Sequence, residues 1–210
     1  MTIFGRFVIL ATLTTVSGCG ASIKLKNDPL PEALVEQWPL TVAVRYDETV
    51  RNFVHTEKLA TNEKFQIDLG SASQQMFADT LGDMFAEVIE VTDGAPVPSV
   101  DLLIEPSVTA LEFAIPSQTV TNDFAVWIKY AVKVYDTTGK LQADFPVPAY
   151  GKAASESMLG GNRAGLTAAT RLALRDASTL LLTRFDVDAG MRGRQLPRRQ
   201  NPTEESSDEN

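Results

Sequence analysis

Phe124, Val126, Ile128, Tyr130, Val132 and Val134 alternate without a break with Ala125, Trp127, Lys129, Ala131 and Lys133. Successive side chains of a strand point to opposite faces, so this period of two predicts a strand over residues 124–135 with one continuous apolar face. Thr137, Thr138, Gly139 and Lys140 then read as a hairpin turn, with Gly139 supplying the positive φ. Residues 141–153 return as its partner, with Leu141, Ala143, Phe145, Val147 and Ala149 facing inward. Pro146 and Pro148 share the opposite parity, so both delete a backbone donor on the same side. That places residues 141–153 at a sheet edge whose outer side is unpaired. A hairpin with so apolar a face needs a covering layer from elsewhere in the chain.

Leu40, Val42, Val44 and Tyr46 alternate in the same manner and predict a half-buried strand over 40–47. Residues 48–58 are ambiguous; Phe53 and His55 share parity, which leaves a second strand open there. Phe65, Ile67 and Leu69 alternate up to Gly70. Ser71 or Ser73 is the expected cap of a helix reaching about Val88, with Phe77, Leu81, Met84, Phe85 and Val88 on its core face. A strand over 88–92 and a turn over 93–96 follow. Residues 100–115 read as a long strand with a register fault. Leu102 and Ile104 hold one parity and Leu111, Phe113 and Ile115 the other, with Pro106 between, where a bulge is expected. A second helix spans about 163–185, with Leu166, Ala169, Ala173, Ala177, Leu180 and Leu181 as its buried stripe. The expected class is α+β: an antiparallel-dominated sheet of about four to five strands with two amphipathic helices packed on one face.

The first 18 residues have the layout of a secretory signal. Arg6 is their one positive charge, and residues 7–16 form an apolar core too short to span a bilayer. Val16, Ser17, Gly18 and Cys19 end it, and Cys19 is the only cysteine of the 210 residues. This resembles the lipobox of bacterial lipoproteins. The resemblance implies cleavage between Gly18 and Cys19, a diacylglyceryl thioether on the Cys19 sulfur, and acylation (commonly palmitate) of the new amino terminus. Gly20 at the second mature position, where an aspartate would retain an inner-membrane lipoprotein, implies an outer-membrane address facing the periplasm of a Gram-negative host. The competing reading is plain secretion with an incidental thiol. The expected organisation is a signal peptide over 1–18, a lipidated tether over 19–38, a periplasmic domain over 39–187 and a disordered polar tail over 188–210.

The layout also resembles, more loosely, small periplasmic lipoproteins of the lipopolysaccharide-assembly type and the auxiliary lipoproteins of ABC-type lipid transport. That resemblance implies a binding or assembly role and transfers no catalytic residue.

The net charge of −8 argues against a nucleic-acid partner. No metal, cofactor or catalytic residue is expected. His55 is the only histidine, so His-pair metal sites are excluded by count, and a structural or surface role is favoured. Gln75, Asp79, Asp83 and Glu87 lie four apart and read as a solvated helix face rather than a calcium site, which needs closely spaced oxygens on a turn. Gly160, Gly161, Asn162, Arg163 and Gly165 open the second helix without the spacing of a phosphate-binding loop. Arg192, Arg194, Arg198 and Arg199 in the tail offer charge for lipid phosphates, or simply solubility.

Trp127, Lys129, Lys133 and Tyr135 share the non-core face of the best strand. Aromatics interleaved with lysine form a partner or ligand face when uncovered, and snorkelling lysines over a packed layer when not. The leading expectation is a non-catalytic outer-membrane lipoprotein that serves interaction, assembly or transport in the cell envelope, meeting an envelope protein or lipid partner. The alternative is a periplasmic module binding lipid or a small ligand in a pocket between helices and sheet; an enzyme ranks below both.

Overall fold

The computed structural model describes residues 20–25, 29–155 and 160–189. Its elements in chain order are β1 (Ala21–Lys24), β2 (Trp38–Arg45), α1 (Glu48–Arg51), β3 (Val54–Lys58), β4 (Lys64–Asp68), α2 (Gly70–Met84), β5 (Phe85–Val91), β6 (Leu102–Ala114), a 3₁₀ turn (Pro116–Gln118), β7 (Asp123–Asp136), β8 (Leu141–Ala154) and α3 (Gly161–Asp188). The class is α+β.

The hairpin read from the alternation is β7 and β8. They pair antiparallel, Ile128 opposite Ala149 and Tyr130 opposite Val147. Gly139 has φ 78°, and the Asp136 carboxylate gathers the turn by accepting the backbone N–H groups of Thr138 (2.8 Å) and Lys140 (3.1 Å). β8 lies at the edge of a five-stranded sheet ordered β5-β2-β6-β7-β8, in which β2 runs parallel to both of its neighbours and the rest is antiparallel. Leu141, expected inward, is exposed because the register shifts beside the turn.

The register fault of β6 exists but lies at Thr109, between Val108 and Ala110, not near Pro106. Thr109 bulges out and donates its hydroxyl to the Lys129 carbonyl at 2.9 Å. Pro106 stays in the ladder opposite Val132. β2 stops pairing with β6 at Ile104, so Pro106 has a strand on one side only, where a proline is tolerated.

α2 and α3 cover one face of this sheet. α2 ends at Met84 rather than Val88, and β5 begins at once, with Val88 paired to Val42. Its N-cap position is Leu69, without a side-chain cap. Ser73 is instead fully buried, its hydroxyl 2.9 Å from that of Tyr130. α3 starts two residues earlier and ends three later than expected. Its stripe of Leu166, Ala169, Ala173, Ala177 and Leu181 is buried, while Leu180 is only half-buried. The alanines let the helix lie directly on β8, where a Cβ on Gly151 would overlap the Ala169 carbonyl. The helices are joined by the Thr80 hydroxyl, 2.8 Å from that of Ser178. Phe185 from α3 meets Trp38, Phe85 and Phe145 edge-on or tilted. Fully burying each such side chain contributes about 1.5–3 kcal/mol.

A second sheet, ordered β1-β4-β3, was not expected. β1 pairs parallel with β4, Ala21 opposite Phe65. The stretch read as a tether from its prolines and lysines is therefore not free chain over its described part. Ala21, Ile23 and Leu25 are buried, and Ser22 and Lys24 exposed: an alternation only five residues long. Residues 29–37 then lie along α2. Asp79 accepts the N–H of Leu30 (2.9 Å), Asp83 that of Ala33 (2.8 Å), and Gln37 donates to the Gly82 carbonyl. The acidic face read as solvated is therefore a docking rail. Carboxylates spaced one helical turn apart match the free donors of an extended chain laid alongside.

Candidate interaction face

The five-stranded sheet has two unlike faces. On the helix side Val126, Ile128, Tyr130, Val132 and Val134 are buried. On the other, Trp127, Lys129 and Lys133 are exposed, as their parity requires. Trp127 stands directly opposite Tyr150 of β8. Their rings lie 5.2 Å apart at 40°, and they are 44% and 42% exposed. Such a pair keeps two large apolar surfaces in water, which sheets ordinarily avoid unless something binds there.

The structure thus brings together Trp127 and Lys129 of the expected set, with Lys133 further along the strand, and separates Tyr135 from them. Tyr135 is half-buried with Ala95 and Val100 over a small cluster of Ala43, Val91 and Leu103. Burial, followed by its hydrogen bond to Glu105, pushes its phenol pKa up. Glu105 also pairs with Arg45 at 3.0 Å. Tyr135 is therefore part of the fold rather than of the open face. Tyr150 does not follow from the turn: counting outward from the pair Tyr135 and Leu141 beside it puts Ala149 across from Trp127, and the register shift between Val134 and Tyr135 brings Tyr150 there instead.

Beside the aromatic pair, Trp127, Lys129, Glu112, Ala110 and Pro148 edge an open depression of about 280 Å³. It lies on the exposed face, not between helices and sheet. At the start of β7, Lys152 and Asp123 form an ion pair at 2.8 Å. The hydrogen bond from Lys152 holds the Asp123 carboxyl below the usual range and raises the lysine pKa in turn.

The other residues singled out in the sequence lie elsewhere in the fold or outside the described residues. His55 sits on β3, 3.3 Å from Glu57 and edge-on to Phe113, a structural position. Gly165 at the start of α3 is packed so tightly on the Phe124 ring that a Cβ would overlap it; this explains the glycine without any anion. Among the described residues no group of three or more His, Cys, Asp or Glu could hold a metal ion, and no helix is long and apolar enough to cross a membrane. Gly18, Cys19 and the arginines of the tail lie outside the described residues.

No protein-family model and no curated protein matches the chain. Among solved structures, it is similar to the hypothetical protein CT253 from Chlamydia trachomatis, with 9% identity, a TM-score of 0.40, and coverage of 68% of this chain and 95% of that one. It is also similar to a "putative lipoprotein" from Caulobacter crescentus CB15, with 13% identity, a TM-score of 0.37, and coverage of 58% and 80%. Similarities of this size carry neither fold nor role over to this chain.

Proposed function

We propose that this protein is a lipid-anchored, non-catalytic component of the bacterial cell envelope. It is held through Cys19 to the periplasmic side of the outer membrane and binds an envelope protein through the face around Trp127 and Tyr150. The observation that carries the binding role is the uncovered aromatic pair, flanked by the Lys129 ammonium on a sheet whose other face is fully packed. Aromatic anchors beside long cations are what interface hot spots are made of. The anchor half rests on the lipobox residues, Val16 to Cys19.

The small-ligand alternative has less support. The depression beside Trp127 is open and falls below the roughly 300–1,000 Å³ of usual ligand pockets.

The test uses the native lipoprotein in its own cells, with a photo-crosslinking side chain at Lys129 and, as control, at Glu48, exposed on α1. A defined envelope protein captured at 129, absent at 48 and lost in Trp127→Ala with Tyr150→Ala, is the expected result. Equal capture at both positions, or capture indifferent to the two aromatics, overturns the binding role. Cys19→Ser is expected to leave an uncleaved, unlipidated precursor. Appearance of a normally fractionating mature form would overturn the anchor.

A further inference from the structure

Gly20 follows Cys19 directly, and it is already part of the fold. A Cβ on Gly20 would overlap the Lys64 carbonyl, so the backbone at Gly20 is pressed against β4, and β1 begins at the next residue. The chain therefore has no spare residue between the Cys19 sulfur and the folded body. Whatever holds that sulfur holds the domain without a spacer.

The end of the domain that faces the anchor follows from three contacts. Phe65, at the start of β4, lies 5.3 Å from Phe113, which is paired to Val126 near the start of β7. Ser73, in the first turn of α2 just after β4, meets Tyr130 midway along β7. β4, and β1 parallel to it, therefore run inward from the end where β7 begins. That end also carries the β6–β7 turn.

Two features of this end differ from the opposite one. Residues 115–122 of the β6–β7 turn (IPSQTVTN) include no charge, although 22% of the chain is charged, and Val120 is fully exposed. The β7–β8 turn at the far end has Asp136 and Lys140 instead. In addition, Lys58 and Lys64, exposed, stand directly opposite each other where β3 and β4 meet their turn. Glu63, in the turn between them, accepts the Thr61 hydroxyl at 2.9 Å, and like charges placed directly across a strand pair are destabilising.

We infer that this end, with Val120 at its tip and Lys58 and Lys64 beside β1, rests on the phospholipid headgroups of the bilayer that holds Cys19. The inference depends on the lipid anchor proposed above. The phosphates relieve the lysine pair, Val120 enters the interfacial layer, and β7 and β8 extend away, leaving Trp127 and Tyr150 open to a partner above the membrane.

The test reconstitutes the mature lipoprotein in vesicles of phosphatidylethanolamine and phosphatidylglycerol. With Cys19 acylated, Val120→Cys introduces the single free thiol, which takes a nitroxide label; Thr138→Cys is the comparison at the far turn. Both positions are on turns, so both variants fold. The label at 120 is expected to show a several-fold higher ratio of oxygen to nickel-chelate accessibility than the label at 138. Equal ratios with a lipid confirmed on Cys19 by mass spectrometry overturn this inference alone. An unmodified Cys19 thiol removes the anchor and this inference together.

Discussion

Asp176 of α3 accepts the backbone N–H of Tyr150, on the outer side of β8, at 2.9 Å. The two prolines of β8, Pro146 and Pro148, share the parity of Tyr150, so their missing donors would have pointed the same way. The edge is thus blunted by two absent N–H groups and one occupied by a helix, which leaves an added strand little to pair with. The face, not the edge, is left for recognition.

Replacing Asp176 by alanine should free the Tyr150 donor and cost about 1 kcal/mol. Asp176→Asn, which keeps an acceptor oxygen, should cost less. Urea denaturation of both variants measures the difference. Faster amide exchange at Tyr150 in the alanine variant alone would tie the loss to this bond.

Gly151 and Gly82 should respond to alanine with opposite signs. At Gly151 the new Cβ meets the Ala169 carbonyl and the Ala173 nitrogen, both helix backbone that does not yield. Gly151→Ala should cost about 3 kcal/mol or prevent folding. Gly82, inside α2, has nothing within 4 Å of such a Cβ. Gly82→Ala should stabilise by about 0.5–1 kcal/mol. Thermal unfolding of the pair decides it.

Ser73 and Tyr130 form an isolated buried hydroxyl pair. Burial pushes the Tyr130 phenol pKa far up, so the phenol stays protonated and one hydroxyl donates to the other. Ser73→Ala or Tyr130→Phe should each cost about 1–3 kcal/mol by stranding the partner. The double variant should cost clearly less than both together, a coupling that a double-mutant cycle reads directly.

Asp136 links the β7–β8 turn to pH. Hydroxyl donation from Thr138, followed by backbone donation from Thr138 and Lys140, holds its carboxyl pKa at about 2, below the ordinary value of 3.8. A depressed carboxyl contributes stability that is complete above the unfolded value and is lost as pH falls through the folded one. The turn should therefore loosen between about pH 4 and pH 2. NMR titration of the Asp136 carboxyl should give an apparent pKa near 2, and Asp136→Asn should flatten amide exchange at Lys140 over that window.

The strong alternation of β7 and β8 was readable because one face of each is apolar along its full length. Trp127 and Lys129 followed from parity alone. The bulge follows from the parity switch between Ile104 and Leu111, but its place at Thr109 does not, because any residue between them could take up the switch. β1 escaped notice because four residues with two buried side chains carry little periodic signal, and their partner strand lies some forty residues on. Asp79 and Asp83 looked solvated because helical spacing says nothing about an extended segment brought alongside from fifty residues away.

Local order along the chain determined the hairpin, the two amphipathic helices, the α+β class and the resemblance around Cys19, because each rests on periodicity or adjacency over a few residues. Tertiary structure alone decided that the segment after Cys19 is a strand, that Tyr150 rather than Tyr135 joins Trp127, and which end of the domain the chain enters. Those outcomes depend on pairing between distant segments, where register and packing choose among partners that the local pattern leaves equivalent.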